Sequence, residues 1–203
     1  MKLIATLTSP FARKIRIMLL EKALPFELVL DSPLEPDTRV ADYNPLIKVP
    51  ALVTDNCETF FDSPVIAGYL ETLGAEPRLL PTDPIERVRV RQLEAIADGI
   101  MDASVAIVLD ARLSGGKASG ALASRQMEKI IGALAALERQ ACDRIWLHGN
   151  DFSLADIATG VALNYLDLRF ADMRWRDDHP ALAALETRTA ARTSFVETVP
   201  PVG

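Results

Sequence analysis

The sequence predicts a two-part protein: a small α/β domain built on a mixed sheet, followed by an all-helical domain. Three observations carry this reading. The opening residues run strand, helix, strand, which implies a parallel strand pair joined by a right-handed crossover. Pro77, Pro81 and Pro84 then punctuate one short stretch with the composition of a linker. Beyond that stretch the alternating patterns of strands fade and helical spacing takes over. The expected domains are 1–80 and 84–203.

Each element of the first domain has a local cause. Residues 2–7 read as a short strand. Ser9-Pro10 opens a helix: a Ser hydroxyl accepts a hydrogen bond from the first turn, and Pro at the first helical position gives up an N–H that had no partner there. Phe11, Ile15, Met18 and Leu19 keep helical spacing until Pro25 breaks the run. Phe26, Leu28 and Leu30 mark the second strand, and the polar, proline-bearing stretch 31–44 reads as a loop with an irregular helix. Residues 51–54 and 58–61 are expected to pair across a turn at Asp55-Asn56. Ser63-Pro64 opens another helix, with Ser63 as its cap and Gly74 placed as its left-handed C-terminal residue.

In the second domain, Ile85, Val88, Leu93, Ile96 and Ile100 stripe a long helix. Arg87, Arg91, Glu94 and Asp98 on that helix offer a mixed polar surface. Ser114-Gly115-Gly116 ends the run. Met127, Ile130, Leu134 and Leu137 stripe the next helix, residues 154–166 are apolar on most sides and predict a central buried helix, and 181–191 form a shorter one. Ser153 caps the central helix with Asp156 standing where a capping box usually has Glu or Gln, and Phe152 and Ile157 supply the accompanying hydrophobic staple.

Composition narrows the function classes. The 203 residues are 49% apolar, enough for a substantial core. A net charge of -6 argues against non-specific nucleic-acid binding. Cys57 and Cys142 form no close-spaced motif, so neither a disulfide scaffold nor a zinc site is indicated, and isolated thiols fit a reducing compartment. His148 and His179 lack ligand spacing to any carboxylate cluster, Asp98 and Asp102 read as a solvated face, and no metal is expected. The N-terminal apolar stretch is too short for a signal peptide and no run is long enough to span a bilayer, so a cytoplasmic protein with no membrane partner is expected. Walker loop, dinucleotide fingerprint and nucleophile elbow are all missing.

Three short segments admit a second reading beside the structural one. Ser9 is either a helix cap or also a hydroxyl at the sheet edge where open α/β folds bind ligands. Val49-Pro50 is either a rigid strand entry or a cis turn that turns backbone groups toward a peptide-like ligand. Asp62-Ser63 is either a helix start or a clamp, with Ser63 and the helix N–H groups on a carboxylate and Asp62 on an ammonium. Two anion-receptive helix starts on one small domain point to a ligand with two separated negative groups.

These residues together resemble the glutathione S-transferase family over nearly the whole chain, and within it a bacterial subgroup. The resemblance rests on Thr8-Ser9-Pro10-Phe11-Ala12-Arg13-Lys14, Asn44-Pro45-Leu46-Ile47-Lys48-Val49-Pro50 and Phe61-Asp62-Ser63-Pro64 in the first domain. In the second it rests on the segment from Trp146 to Ile157 and on Arg192-Thr193-Ser194-Phe195, with Thr198 and Pro200 after it. It implies the glutathione transferase fold, a thioredoxin-like glutathione-binding domain followed by a helical one, assembled as a homodimer. Ser9 would be the catalytic residue beside the glutathione sulfur. Val49 would bond the cysteinyl part through its backbone with Pro50 in cis, Asp62 and Ser63 would take the γ-glutamyl end, and Lys48 would reach the ligand from the loop. The chain departs from the family in having Ser rather than Cys at position 9, no Tyr near the end of the first strand, and Ile47 where glycine is frequent.

The expected function is transfer of glutathione, as co-substrate, to a small hydrophobic electrophile held between the domains by Phe11, Met101 and Val105. The alternatives are a glutathione-binding protein with little turnover, or a glutathione-dependent peroxidase or isomerase.

Overall fold

In a computed structural model that describes residues 1–116 and 118–201, the chain opens with β1 (Lys2–Ala5), buried along its last three residues. Ser9 then caps α1 (Pro10–Glu21), accepting a hydrogen bond from the Ala12 N–H at 3.2 Å. β2 (Glu27–Leu30) returns parallel to β1, with Lys2 opposite Glu27 and Ala5 opposite Leu30. After a single 3-10 turn at Val40–Asp42 come β3 (Ala51–Val53) and β4 (Thr59–Phe60). β3 runs antiparallel to β1, and β4 antiparallel to β3, giving the strand order β2-β1-β3-β4. α2 (Ser63–Thr72) follows, and Gly74 takes the expected left-handed conformation at φ +71°. Ile4, Val40 and Ala51 form a buried cluster with Val29, Tyr43, Val49, Val53 and Phe61 packed against it.

This sheet-bearing unit spans Met1–Leu79 and takes the chain back from Arg192 onward; the other unit is Leu80–Ala191. The second unit contains α3 (Pro84–Leu113), α4 (Gly120–Ala141), α5 (Leu154–Arg169), α6 (Trp175–Asp178) and α7 (Pro180–Ala190). α5 is buried continuously from Leu154 to Leu163 and packs on α3 and α7, as its all-round apolar pattern requires.

The stripe on α3 differs from the one that spacing predicts. Val90, Leu93, Ala97, Ile100, Met101 and Ile107 are buried, whereas Ile85 is 55% and Val88 59% exposed. At thirty residues α3 is about 45 Å long, against about 24 Å for α5. Glu94 and Asp98 are buried and so do not belong to a polar surface or a solvated face, while Asp102 is exposed; Arg91 bonds Glu94 at 2.6 Å. α6 has no sequence signature because four residues are too few to show a period.

The C-terminal segment, expected to belong with the helical domain, returns to the first unit instead. It forms α8 (Thr193–Val196), again only four residues, beside α1. Arg13 is almost fully buried, donates to Thr198 Oγ1 and to the Phe195 carbonyl, and lies over the Phe195 ring at 5.6 Å. Arg192 forks onto the Glu21 carboxylate at 2.8 and 2.6 Å, and Ser194 donates to the same group. The reason is chemical: two charged side chains of α1 find their partners there.

Asp156 organises the start of α5. Its Oδ2 accepts from the Ser153 N–H at 2.9 Å and from the Ser153 hydroxyl at 2.8 Å, while its Oδ1 accepts from the Leu147 N–H at 2.8 Å. Burial pushes the Asp156 carboxyl above the ordinary carboxylate range, against the pull of these hydrogen bonds toward the charged form. Asp156→Ala strips two buried N–H groups of their acceptor at about 1–3 kcal/mol each, so it should lower stability by about 3 kcal/mol. The measurement is urea unfolding, with the midpoint falling at unchanged slope. Because the folded carboxyl binds its proton more tightly than the unfolded one, its contribution is largest below about pH 4 and shrinks as pH rises through the folded value. A gap between parent and variant that widens with pH instead would mean that the hydrogen bonds outweigh burial.

Candidate functional site

Strand directions decide which segments meet. β1 runs toward α1, so the Ser9 cap stands at the C-terminal end of β1. β3 runs against β1, which brings its entry, Val49-Pro50, to that same edge. β4 runs against β3 and therefore along β1, so Asp62 and Ser63 at the start of α2 arrive there too. The three segments that admit a ligand reading in the sequence thus share one end of the sheet. Neighbouring strands lie nearly 5 Å apart, which sets the two helix starts about 10 Å from each other across β3. An extended tripeptide has about that length. A separate cleft of about 780 Å³, lined by Met1, Phe26, Asp55 and Tyr69 among others, opens at the opposite edge.

Ser9 is half-buried. Its oxygen is engaged by the Ala12 N–H, and a hydroxyl that accepts one bond still has its own proton to donate. Neither histidine of the chain belongs to this unit, so Ser9 has no imidazole of its own unit to activate it.

At α2 the structure corrects the cap by one residue. Asp62, exposed, is the N-cap, and its carboxylate accepts from the Ser63 N–H; Ser63 is already the first helical residue. Ser63 is fully buried and its Oγ has no hydrogen-bond partner. A buried hydroxyl without a partner costs free energy, and such groups are rare enough in native folds to call for a reason. The peptide bonds Val49–Pro50 and Phe61–Asp62 are both cis.

The loop into Pro50 is held by Asn44, a residue that sequence reasoning alone does not single out. Asn44 is 2% exposed. Its Nδ2 donates to the Lys48 carbonyl at 2.8 Å and its Oδ1 accepts from the Leu46 N–H at 2.9 Å. Its own carbonyl accepts from the Ile47 N–H. The available signal is Asn before Pro45, a turn-forming pair. Ile47, at the position where glycine is frequent, has φ +52°. That left-handed conformation costs about 1–2 kcal/mol for a side chain with a Cβ, and most for a branched one. The Lys48 side chain is exposed and Val49 half-buried.

Of the residues expected around an acceptor, Phe11 on α1 and Val105 on α3 are half-buried. Met101 has no accessible surface. A wholly enclosed, apolar side chain is packing, so Met101 leaves the set. Ser63 is as enclosed, but its unpartnered hydroxyl distinguishes it from a packing residue. Among the described residues no group of three or more His, Cys, Asp or Glu side chains is placed to hold a metal ion, and no helix is long and apolar enough to cross a membrane.

Comparison with known proteins covers both units. Residues 8–73 match the family model for the glutathione S-transferase N-terminal domain, and residues 120–188 the model for the C-terminal domain. The Escherichia coli K12 protein YibF, described as an uncharacterized GST-like protein, is 43% identical over 201 residues, 99% of each chain. A maleylacetoacetate isomerase of Pseudomonas aeruginosa is 31% identical, covering 89% of this chain and 96% of its own. Among solved structures, a glutathione S-transferase of Methylobacillus flagellatus with GSH bound superposes with a TM-score of 0.94 at 38% identity, covering 98% of this chain and 99% of the other.

Proposed function

The chain belongs to the glutathione S-transferase family, and we propose that it binds glutathione across the β1–β3–β4 edge and activates its thiol for transfer to a small hydrophobic electrophile. The observation that carries this reading is the pair of helix starts about 10 Å apart, one of which holds an unpartnered buried hydroxyl at Ser63. In this reading Asp62 pairs with the ammonium of the γ-glutamyl end, and the Ser63 hydroxyl and first-turn N–H groups take its carboxylate. Val49 and Pro50 contact the cysteinyl part through the backbone, and Lys48 supplies a cation from the loop.

A free thiol titrates near about 8.5 and is mostly protonated at neutral pH. The helix start and a hydrogen bond from Ser9 both favour the thiolate. Ser9 is a thiol-tuning donor in this scheme and not a nucleophile, since a hydroxyl without a base is a poor one at neutral pH. Transfer joins the sulfur to the acceptor's electrophilic carbon while the bond from that carbon to its leaving group breaks; the leaving group departs with the electron pair and the thiol proton passes to solvent. The isomerase relative supports a second reading, in which the same thiolate adds reversibly to an unsaturated acceptor and leaves again. Turnover against several electrophile classes, with glutathione binding measured in parallel, separates these. Binding with no turnover in any class would leave a glutathione-binding protein.

The reading extends to assembly and place: a cytoplasmic homodimer. Val65 on α2 and Ile85 and Val88 on α3 are half or more exposed, and a second copy of the chain would cover them. Light scattering at micromolar concentration should give twice the chain mass; a monomer mass removes the proposal.

Ser63→Ala should lower glutathione affinity at least about tenfold, the loss of one hydrogen bond to a charged group. The same variant should be no less stable without ligand, because the cap is Asp62 and the deleted hydroxyl had no partner. Calorimetric titration and thermal melting read the two halves separately. Unchanged affinity in a folded variant would reduce the motif to a helix start.

Ser9→Ala should leave glutathione bound while raising the pKa of its thiol. Ultraviolet absorbance of the bound thiolate against pH is the check. Coincident titration curves for parent and variant would assign the thiolate to backbone N–H groups of α1 alone.

A further inference from the structure

We infer that Asn44 is a positioning residue for glutathione, acting through Lys48 and Val49 by holding Ile47 in its left-handed conformation; the inference rests on the glutathione-binding reading. The orientation of the Asn44 amide is fixed by its partners. Leu46 offers an N–H and must face the oxygen, and Lys48 offers a carbonyl and must face the nitrogen. The side chain therefore spans the turn from inside, bonding the residue before Ile47 and the residue after it. The Asn44 backbone carbonyl bonds Ile47 itself. Three bonds from one nearly buried residue thus enclose the one position of this turn with positive φ.

Burial does little to support that conformation. Leu46 is 62% and Ile47 49% exposed, so neither gains enough to hold the loop against the strain. Glycine at 47 would adopt the conformation freely. With isoleucine there, the loop relaxes unless the Asn44 amide holds it, and relaxation moves the two residues that follow directly, Lys48 and Val49. The sequence thus places the burden of shaping the ligand-facing loop on a side chain whose amide is bonded within the turn itself. Local backbone strain held in place by its surroundings is a recurrent mark of binding loops.

The test titrates reduced glutathione calorimetrically into the full chain and its variants, with urea unfolding as the control for folding. Asn44→Asp is nearly isosteric, keeps the acceptor for Leu46 and puts an oxygen against the Lys48 carbonyl. Asn44→Ala removes both bonds. Each should weaken glutathione binding about tenfold. Adding Ile47→Gly to Asn44→Ala should restore affinity to within about threefold of the parent, since glycine needs no clamp. A general loss of structure would not be repaired by a glycine in an exposed loop. Parent-like affinity in either folded Asn44 variant overturns the inference, and so does a loss that Ile47→Gly fails to repair. A parent that binds no glutathione removes the functional reading itself, and this inference with it.

Discussion

The antiparallel course of β3 between β1 and β4 is the constraint on which the site depends. Had β3 run parallel, its entry would lie at the far edge of the sheet. Because it runs against both neighbours, one edge receives two helix starts and one extended entry segment. Their spacing follows from the sheet's own hydrogen-bond geometry and needs no further device. The parallel partner β2 stands on the other side of β1, and its exit at Asp31 reaches the same edge beside Ala5. The proposed site would draw on a hydroxyl, a carboxylate, a few N–H groups and one lysine.

Two departures from local rules lie where those segments meet. Ser63 carries a buried hydroxyl without a partner, and Ile47 sits in a conformation that suits glycine. Asp156 shows the contrasting case, since both oxygens of its carboxylate are hydrogen-bonded at the start of α5. Departures of this kind also occur away from the sheet edge, at Cys57 with φ +62° and at the unpartnered Thr159 hydroxyl of α5, so Ser63 and Ile47 are set apart by their place beside the three segments.

Much of this architecture is legible in the amino-acid sequence. Ser9-Pro10, the hairpin around Asp55-Asn56, Gly74 and the Ser153–Asp156 pair are strong local signals, because capping and turn chemistry act over a few residues. The cap at α2 lies one residue earlier than the pattern suggests, since Asp62 and Ser63 are both good caps and only the backbone decides between them. Ile85 and Val88 fit a buried stripe by spacing, but periodicity reports a helix face and not what covers each turn of it. Glu94 and Asp98 pattern as solvated for the same reason, and Met101 as available to a ligand. Asn44 is visible as a turn residue, yet its two side-chain bonds span a turn whose shape the sequence does not specify.

The return of the chain to α1 has a consequence in time. Synthesis proceeds from the N-terminus, and the sheet has all four strands once Phe60 has emerged. The partners of Arg13 and Glu21 lie 171 to 185 residues further on. At roughly 5–20 residues per second, making Leu80–Ala191 occupies on the order of ten seconds. Throughout that interval α1 presents a cation and a carboxylate whose C-terminal partners do not yet exist. A premature stop codon near position 190 would therefore injure the first-made unit, far upstream of the lesion in the message.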